Sequence, residues 1–294
     1  MPVTDSLDAL LTLPDYSALA WSAIIFSTYL TGISKGGFAG GFGSLSVPLM
    51  ALAIGPLEAA GILLPLLLVM DFLSSRAWWG KQLWSEVRII LPSAAIGIAV
   101  GVVLFDELDE NMIRGLLGVI SLLFAAYMLF KPTARKPLPR WLAIPAGATA
   151  GFTSFFAHAG APPYNLYMIP RQHPKETFIA TTVIIFAGMN LMKLGPYVAL
   201  GEINLTSLST SLLLVPVAWA GVRSGLWLQS RVNEKLFFRL IIIAIHQQLT
   251  GFLELLECHG ILGASPKPCR LDRGIGIILI PRLERHFLDP EFRD

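Results

Sequence analysis

Long stretches of this sequence contain no Asp, Glu, Lys or Arg, and this feature constrains the fold most. Eight such stretches are residues 16–34, 36–57, 89–105, 115–130, 141–170, 177–192, 203–222 and 240–253. A helix needs about 20 mostly apolar residues to cross the hydrocarbon core of a bilayer, because each residue rises only about 1.5 Å. Charged residues make up 14% of the 294 positions, against about 25% in soluble domains. The long apolar stretches and the low charge content predict a polytopic membrane protein and exclude a soluble enzyme and a disordered chain. The net charge is only +2, so a nucleic-acid binder is excluded as well.

The apolar runs favour helices over a β-barrel, whose strands would alternate in polarity over about ten residues. We expect an all-α fold with ten hydrophobic segments, at about 17–33, 38–54, 57–79, 88–105, 112–130, 141–158, 160–170, 177–200, 204–228 and 235–255. No basic region precedes the first segment, so 17–33 is expected to be a retained span. The seventh segment is too short for an ordinary span. Pro162, Pro163 and Pro170 predict breaks there, because proline lacks a backbone donor.

Basic residues mark cytoplasmic loops and give the predicted orientation. The basic cluster at 131–140 is placed inside. Successive loops then alternate between the two sides of the membrane. The cytoplasmic side receives Lys35 and the loops 80–88, 171–175 and 231–235. The outer side receives the N-terminus, the acidic loop 106–111 and Glu202. Both ends of the membrane body are expected to face outside.

The two halves of the chain resemble each other. Gly97-x3-Gly101 recurs as Gly221-x3-Gly225 at an offset of 124, and Asp71 lies near Asn190 at an offset of about 118. Since each half holds five segments, we predict two inverted five-segment repeats with broken helices. There are two alternatives to an inverted repeat. The similarity arises by chance, or the second and seventh segments are re-entrant and the two halves are parallel. The predicted organisation is a first membrane repeat 1–130, a basic cytoplasmic linker 131–140, a second membrane repeat 141–256 and a polar, poorly ordered tail 257–294.

Residues 31–44 carry the densest signal for a binding site. Six glycines fall within twelve positions, and each costs a helix about 1 kcal/mol relative to Ala, so a break that exposes backbone N–H groups is expected. A positive charge from lysine at this break favours a small anion. The candidates are Lys35, Gly36, Gly37, Gly40, Gly41, Gly43 and Ser44. Two other interpretations stay open: the glycines serve close helix packing, and Lys35 extends to the cytoplasmic surface.

A second break is expected around 151–165, where glycines and prolines coincide with polar side chains. The candidates are His158, Pro162, Pro163 and Asn165, with Ser154 nearby. His158 is suited to relay a proton, or is a neutral histidine bonded to a carbonyl. No second His or carboxylate stands at metal-ligand spacing, and both cysteines lie in the tail, so neither a metal nor another cofactor is expected.

Three further polar residues, Asp71, Asn190 and Lys193, lie within hydrophobic segments. Ionisable groups are expensive to bury in a membrane, which makes them functional candidates. Asp71 and Asn190 occupy near-equivalent places in the two halves and are expected to meet near a pseudo-twofold axis. The alternative is that Asp71 is a structural partner of Lys35, Arg76 or Lys193.

These motifs resemble the sulfite exporter TauE/SafE family. Gly-Ile-Ser-Lys-Gly-Gly-Phe at 32–38, followed by Gly41, Gly43 and Pro48, carries the likeness in the first half. The second-half stretch from His158 to Pro163, followed by Asn190 and Lys193, is similar to one branch of the family. The likeness covers about 20–245. It implies a bacterial inner-membrane permease for sulfite, sulfoacetate or a related sulfur-containing or organic anion.

We therefore expect a permease, not an enzyme, that moves a small anion across the lipid bilayer by alternating access. Coupling to protons or another ion and assembly into a homo-oligomer are both compatible with this function. A nucleic-acid partner is not expected. The rival hypothesis is a membrane sensor or assembly subunit without a transport cycle, whose glycines would serve packing alone.

Overall fold

The computed structural model describes residues 14–40, 49–50, 53–105, 107, 112, 138–234, 236–238 and 240–241. All regular structure in these residues is helical. The helices of the described ranges are α1 (Ala18–Gly37), α2 (Pro56–Trp78), α3 (Trp84–Val103), α4 (Ala143–Ala157), α5 (Ala161–Met168), α6 (Lys175–Ala199) and α7 (Leu205–Arg231). Short 3-10 turns precede α4 at Arg140–Leu142 and follow α5 at Ile169–Arg171.

Four of these helices are long and apolar enough to cross a membrane. They are Glu58–Trp78 within α2, α3, α6 and α7, which correspond to predicted segments three, four, eight and nine. Helix α1 corresponds to the first segment but continues to Gly37, four residues past its predicted end. Segments two, five and ten, and the tail 257–294, lie wholly or largely outside the described residues. An all-helical membrane fold is therefore confirmed, and the complete inverted repeat remains a prediction.

The predicted break in the second half lies between α4 and α5. Helix α4 ends at Ala157, and His158 adopts a left-handed backbone conformation with φ of 50°. Helix α5 begins at Ala161 with two prolines in its first turn. Prolines fit there, because the first N–H groups of a helix have no acceptor within it. The eight-residue α5 is accordingly the short segment that the prolines predicted.

Glycines bring the first predicted segment of each half against the fourth segment of the other half. A Cβ on Gly36 of α1 would lie 2.3 Å from the carbonyl oxygen of Val222 in α7, and one on Gly225 would lie 2.3 Å from that of Ile33. The same relationship joins α3 to α4, where a Cβ on Gly97 would lie 1.9 Å from the carbonyl oxygen of Ala148. Side chains at these positions would force the helices apart. Close packing, one of the two sequence interpretations of the glycines, is thus confirmed for Gly36.

The helix ends sort into two groups. Lys81 pairs with Glu176 at 2.7 Å, and Lys175 donates to the carbonyl oxygen of Gln229 at 2.8 Å. The loops predicted to be cytoplasmic therefore meet at one end of the bundle. At the other end, Tyr16 donates to Glu58. The backbone of Glu202 also approaches the start of α2 there.

Candidate functional site

A small cavity lies where the chain breaks at the end of α1 and again between α4 and α5. Its walls come from α1, α2, α4, α5, α6 and the turn after α1, and its lining residues are Thr31, Lys35, Gly40, Leu63, Leu67, Ser154, His158, Ala161, Phe186 and Asn190. The cavity volume is about 30 Å³. About 10–15 Å³ is enough for one water molecule, so the space holds about two.

Lys35, Asp71 and Asn190 form a buried chain of contacts beside this cavity. The Lys35 Nζ lies 2.6 Å from one carboxylate oxygen of Asp71, and the Asn190 amide donates to the other at 2.6 Å. All three residues are buried, with exposed fractions of 7% for Lys35 and 2% for Asp71 and Asn190. The expected meeting of Asp71 with Asn190 is observed, and so is the alternative pairing of Asp71 with Lys35. The expectation that Lys35 extends to the surface is wrong, because its ammonium is held inside by Asp71.

Lys193, Ser154 and His158 form a second buried group against the same cavity. The ammonium of Lys193 contacts the Ser154 carbonyl oxygen at 3.0 Å, its hydroxyl at 3.1 Å and His158 Nδ1 at 2.7 Å. The other ring nitrogen of His158 lies 3.4 Å from the carbonyl oxygen of Ala60. A carbonyl partner was the second interpretation of His158. Lys193 is fully buried and reaches the cavity through these two lining residues.

The two groups occupy corresponding places in the two halves, 119 positions apart. Trp78 of α2 donates to the Gly36 carbonyl, and Tyr197 of α6 donates to the Phe155 carbonyl. The same offset relates Asp71 to Asn190. It also pairs Lys35 with Ser154, and Ser74 with Lys193. Each half thus contributes one lysine and one serine, but at exchanged positions.

The remaining predicted residues lie in three different surroundings. Gly36 and Gly37 are helical and face α7, so the expected exposure of their N–H groups at a break is wrong for these two. The break comes after Gly37, and Gly40, with φ of 75°, reaches the cavity. In α5, Pro162, Pro163 and Asn165 are buried outside the lining set. Gly41, Gly43 and Ser44 lie outside the described residues.

Asn165 is notable among them because its side chain is fully buried. Among the residues that the structure describes, neither polar atom of its amide has a hydrogen-bond partner. An unpaired buried amide is costly, so a group that pairs with it would be stabilising.

Sequence reasoning missed a second buried ionic cluster, centred on Glu86 at the end predicted to be cytoplasmic. Arg171 lies 3.0 Å from Glu86 Oε1, Arg140 lies 3.9 Å from the same atom, and Tyr167 donates to Oε2 at 2.8 Å. Glu86 is only 2% exposed. The cluster fixes both ends of the α4–α5 pair to the start of α3, because Arg140 precedes α4 and Arg171 follows α5. The one signal in the sequence was an isolated acid among loops otherwise rich in basic residues.

The arrangement offers hydrogen-bond donors and positive charge in an apolar surrounding. Two ammonium groups, one on each half, are held without exposure to solvent. Leu63, Leu67 and Phe186 complete the walls. Such a site is suited to hold a small anion.

The fold and the cavity together define a helical membrane protein with broken helices around a buried cationic site, which is the architecture of a transporter. Residues 24–246 match the family described as Sulfite exporter TauE/SafE, and the chain belongs to this family of membrane transporters. No curated protein and no solved structure matches the chain.

Proposed function

We propose that the protein is a permease that carries a small anion, such as sulfite, sulfoacetate or another sulfur-containing or organic anion, by alternating access. One observation carries this proposal: the cavity where the helices break is lined by the buried Lys35 of one half, and the buried Lys193 of the other half contacts two of its lining residues. Asp71 pairs with Lys35, and an anion bound in the cavity would offset the cost of burying the second positive charge.

The contacts around the cavity suggest how the anion is held. Lys35 supplies a charge directly from the wall, and Lys193 acts next to it through Ser154 and His158. The Asn190 amide and the backbone near Gly40 would add neutral donors. Gly41, Gly43, Ser44 and Asn165 remain proposed members of the site from the sequence.

Movement of the two halves is required because the cavity holds only about two water molecules. Sulfite has four heavy atoms, so the walls must separate to admit it. The reciprocal packing of α1 on α7 and of α4 on α3 supports a pair of inverted repeats that exchange partners around the site. Rocking of one repeat against the other would then open the cavity to each side in turn.

The wider setting of the proposal follows the sequence. The predicted repeats 1–130 and 141–256, the linker 131–140 and a location in the bacterial inner membrane are retained as parts of it. Coupling to protons or another ion, and assembly into a homo-oligomer, are compatible with this arrangement. The family membership makes a transporter, and not an enzyme, the supported class.

Flux through the purified full-length protein in proteoliposomes tests the proposal. The panel comprises sulfite, thiosulfate, sulfoacetate and short carboxylates, with protein-free liposomes as the background. We expect uptake of at least one anion above background, and weaker uptake for Lys35→Gln. The matched control is Lys81→Gln, which removes an exposed lysine far from the cavity. Absence of flux for every anion would instead favour the sensor or assembly subunit.

A further inference from the structure

We propose that, among the candidate anions named above, the site selects those with a single negative charge, such as hydrogensulfite, the protonated form of sulfite, and discriminates against dianions such as sulfoacetate, because Asp71 neutralises one of the two buried lysines. This inference rests on the proposed function and concerns the same cavity. It follows from the charge state that the contacts impose on each buried group.

The contacts of Asp71 fit an ionised carboxylate. One of its oxygens faces the Lys35 ammonium and the other accepts from the Asn190 amide, both at 2.6 Å. Both neighbours are donors, and an ionised carboxylate, which only accepts, satisfies both of them. The charges of Lys35 and Asp71 therefore cancel, and the Lys35 ammonium is directed towards Asp71.

The contacts of Lys193 fit an ammonium with no acidic partner. Its nitrogen has three neighbours within 3.1 Å, the two oxygens of Ser154 and His158 Nδ1, which matches its three N–H donors. The Ala60 carbonyl oxygen, 3.4 Å from Nε2, can only accept, which assigns the proton of a neutral His158 to Nε2 and leaves Nδ1 to accept from Lys193. The position that corresponds to Asp71 in this half is held by neutral Asn190. Lys193 thus keeps its charge uncompensated.

No other described charge alters this balance at the cavity. The buried charged residues of the described ranges are Lys35, Asp71, Glu86 and Lys193. Glu86 lies at the end of the bundle and pairs with Arg171. The site therefore carries a net charge of +1, which one negative charge neutralises. A dianion would leave an excess buried charge, and uncompensated buried charge is strongly unfavourable.

Competition between two tetrahedral sulfur oxyanions of similar size isolates charge from shape. Uptake of labelled sulfite into proteoliposomes is measured at mildly acidic pH, where the monoanion hydrogensulfite is its main form, against increasing methanesulfonate, a monoanion, or sulfate, a dianion. We expect methanesulfonate to inhibit at a concentration roughly tenfold or more below that of sulfate. Equal inhibition, stronger inhibition by sulfate or no inhibition by methanesulfonate would overturn the inference while sulfite uptake upheld the proposed function. Loss of all flux would instead count against both.

A charge variant provides a second, directional test. Asp71→Asn raises the net charge to +2, so the preference for methanesulfonate over sulfate should shrink towards equality or reverse. Asp71→Glu keeps the charge and should keep the preference. Titration calorimetry of the detergent-purified proteins with methanesulfonate and with sulfate gives the same ratio without a transport cycle. A ratio that is the same in Asp71→Asn, Asp71→Glu and wild type would overturn the role of Asp71. If Asp71→Asn does not fold, the wild-type ratio alone decides.

Discussion

Asp71 and Asn190, 119 positions apart, hydrogen-bond directly at 2.6 Å between α2 and α6. Each is the other's counterpart in the predicted repeat, and together they join the two halves at the cavity. One is an acid and the other its neutral isostere. Because only one of the two positions carries an acid, one half has a lysine–aspartate pair, whereas the lysine of the other half has no compensating charge among the described residues.

The Lys35–Asp71 pair should stabilise the fold as well as shape the site. Lys35→Gln leaves a buried carboxylate without its cation, and we expect a loss of about 3–5 kcal/mol in stability. Adding Asp71→Asn should restore much of that loss, because the uncompensated charge is then gone. Thermal unfolding of the detergent-purified single and double variants measures this coupling. Strictly additive effects would show that the two side chains do not depend on each other.

The glycine contacts between α1 and α7 should not tolerate a methyl group. Gly36→Ala and Gly225→Ala each place a Cβ 2.3 Å from a backbone carbonyl oxygen of the facing helix. We expect a cost of about 1–3 kcal/mol for each, from displacement of the helices. Gly195→Ala is the matched control, because a Cβ there meets no atom within 4 Å. Melting temperatures in detergent provide the comparison, and equal melting of Gly36→Ala and Gly195→Ala would refute the packing role.

The grouping of loops predicts which positions share a side of the membrane. Single cysteines at Lys81 and Glu107, in a Cys258→Ser/Cys269→Ser background, should react with an impermeant thiol reagent from opposite sides. Lys81 belongs to the basic end and Glu107 to the predicted outer loop. A cysteine at Ala134, outside the described residues, should behave like that at Lys81. Labelling of Lys81→Cys and Glu107→Cys from one side would exclude the inverted arrangement.

Glu202, in the loop between α6 and α7, should make stability depend on pH. Burial raises the pKa of its carboxyl above the usual value. A group whose pKa is higher in the folded state contributes stability below its unfolded pKa and loses it as the pH rises through the folded pKa. Glu202→Gln should therefore raise the melting temperature relative to wild type at neutral pH, with the difference vanishing in acid. Glu107→Gln, at an exposed position, is the control, and a pH-independent difference for Glu202→Gln would contradict the assignment.

Much of this fold was predictable because membrane insertion imposes strong local rules. Charge-free runs gave the positions of α2, α3, α6 and α7, and prolines gave the break before α5. The similarity between the two halves of the sequence predicted the contact between Asp71 and Asn190. Gly36 and Gly37 were harder to place, because glycine serves helix packing and ligand binding equally well and only the facing helix decides. The sequence similarity also did not show that a lysine in one half corresponds to a serine in the other. An offset of 118 aligns neither Lys35 with Ser154 nor Ser74 with Lys193.

The cluster around Glu86 could not be predicted for a different reason. Its members come from three separate segments, and each alone reads as an ordinary residue at a membrane boundary. Only tertiary packing gathers them around the buried carboxylate of Glu86. Similarly, Leu63, Leu67 and Phe186 have no chemical signature that distinguishes a cavity wall from any other apolar helix face.

The most direct measurement for the central claim is the concentration dependence of anion uptake in Lys193→Gln proteoliposomes. Lys193 has no carboxylate partner within the described ranges, so its removal should affect the bound anion more than the fold. A charge-assisted hydrogen bond contributes about 1.5–3 kcal/mol, which corresponds to a roughly 10- to 150-fold rise in the half-saturating concentration of the best-transported anion of the panel. Lys81→Gln, at equal protein density, should match wild type. Half-saturation in Lys193→Gln equal to that of wild type would contradict the claim that the buried lysines hold the transported anion.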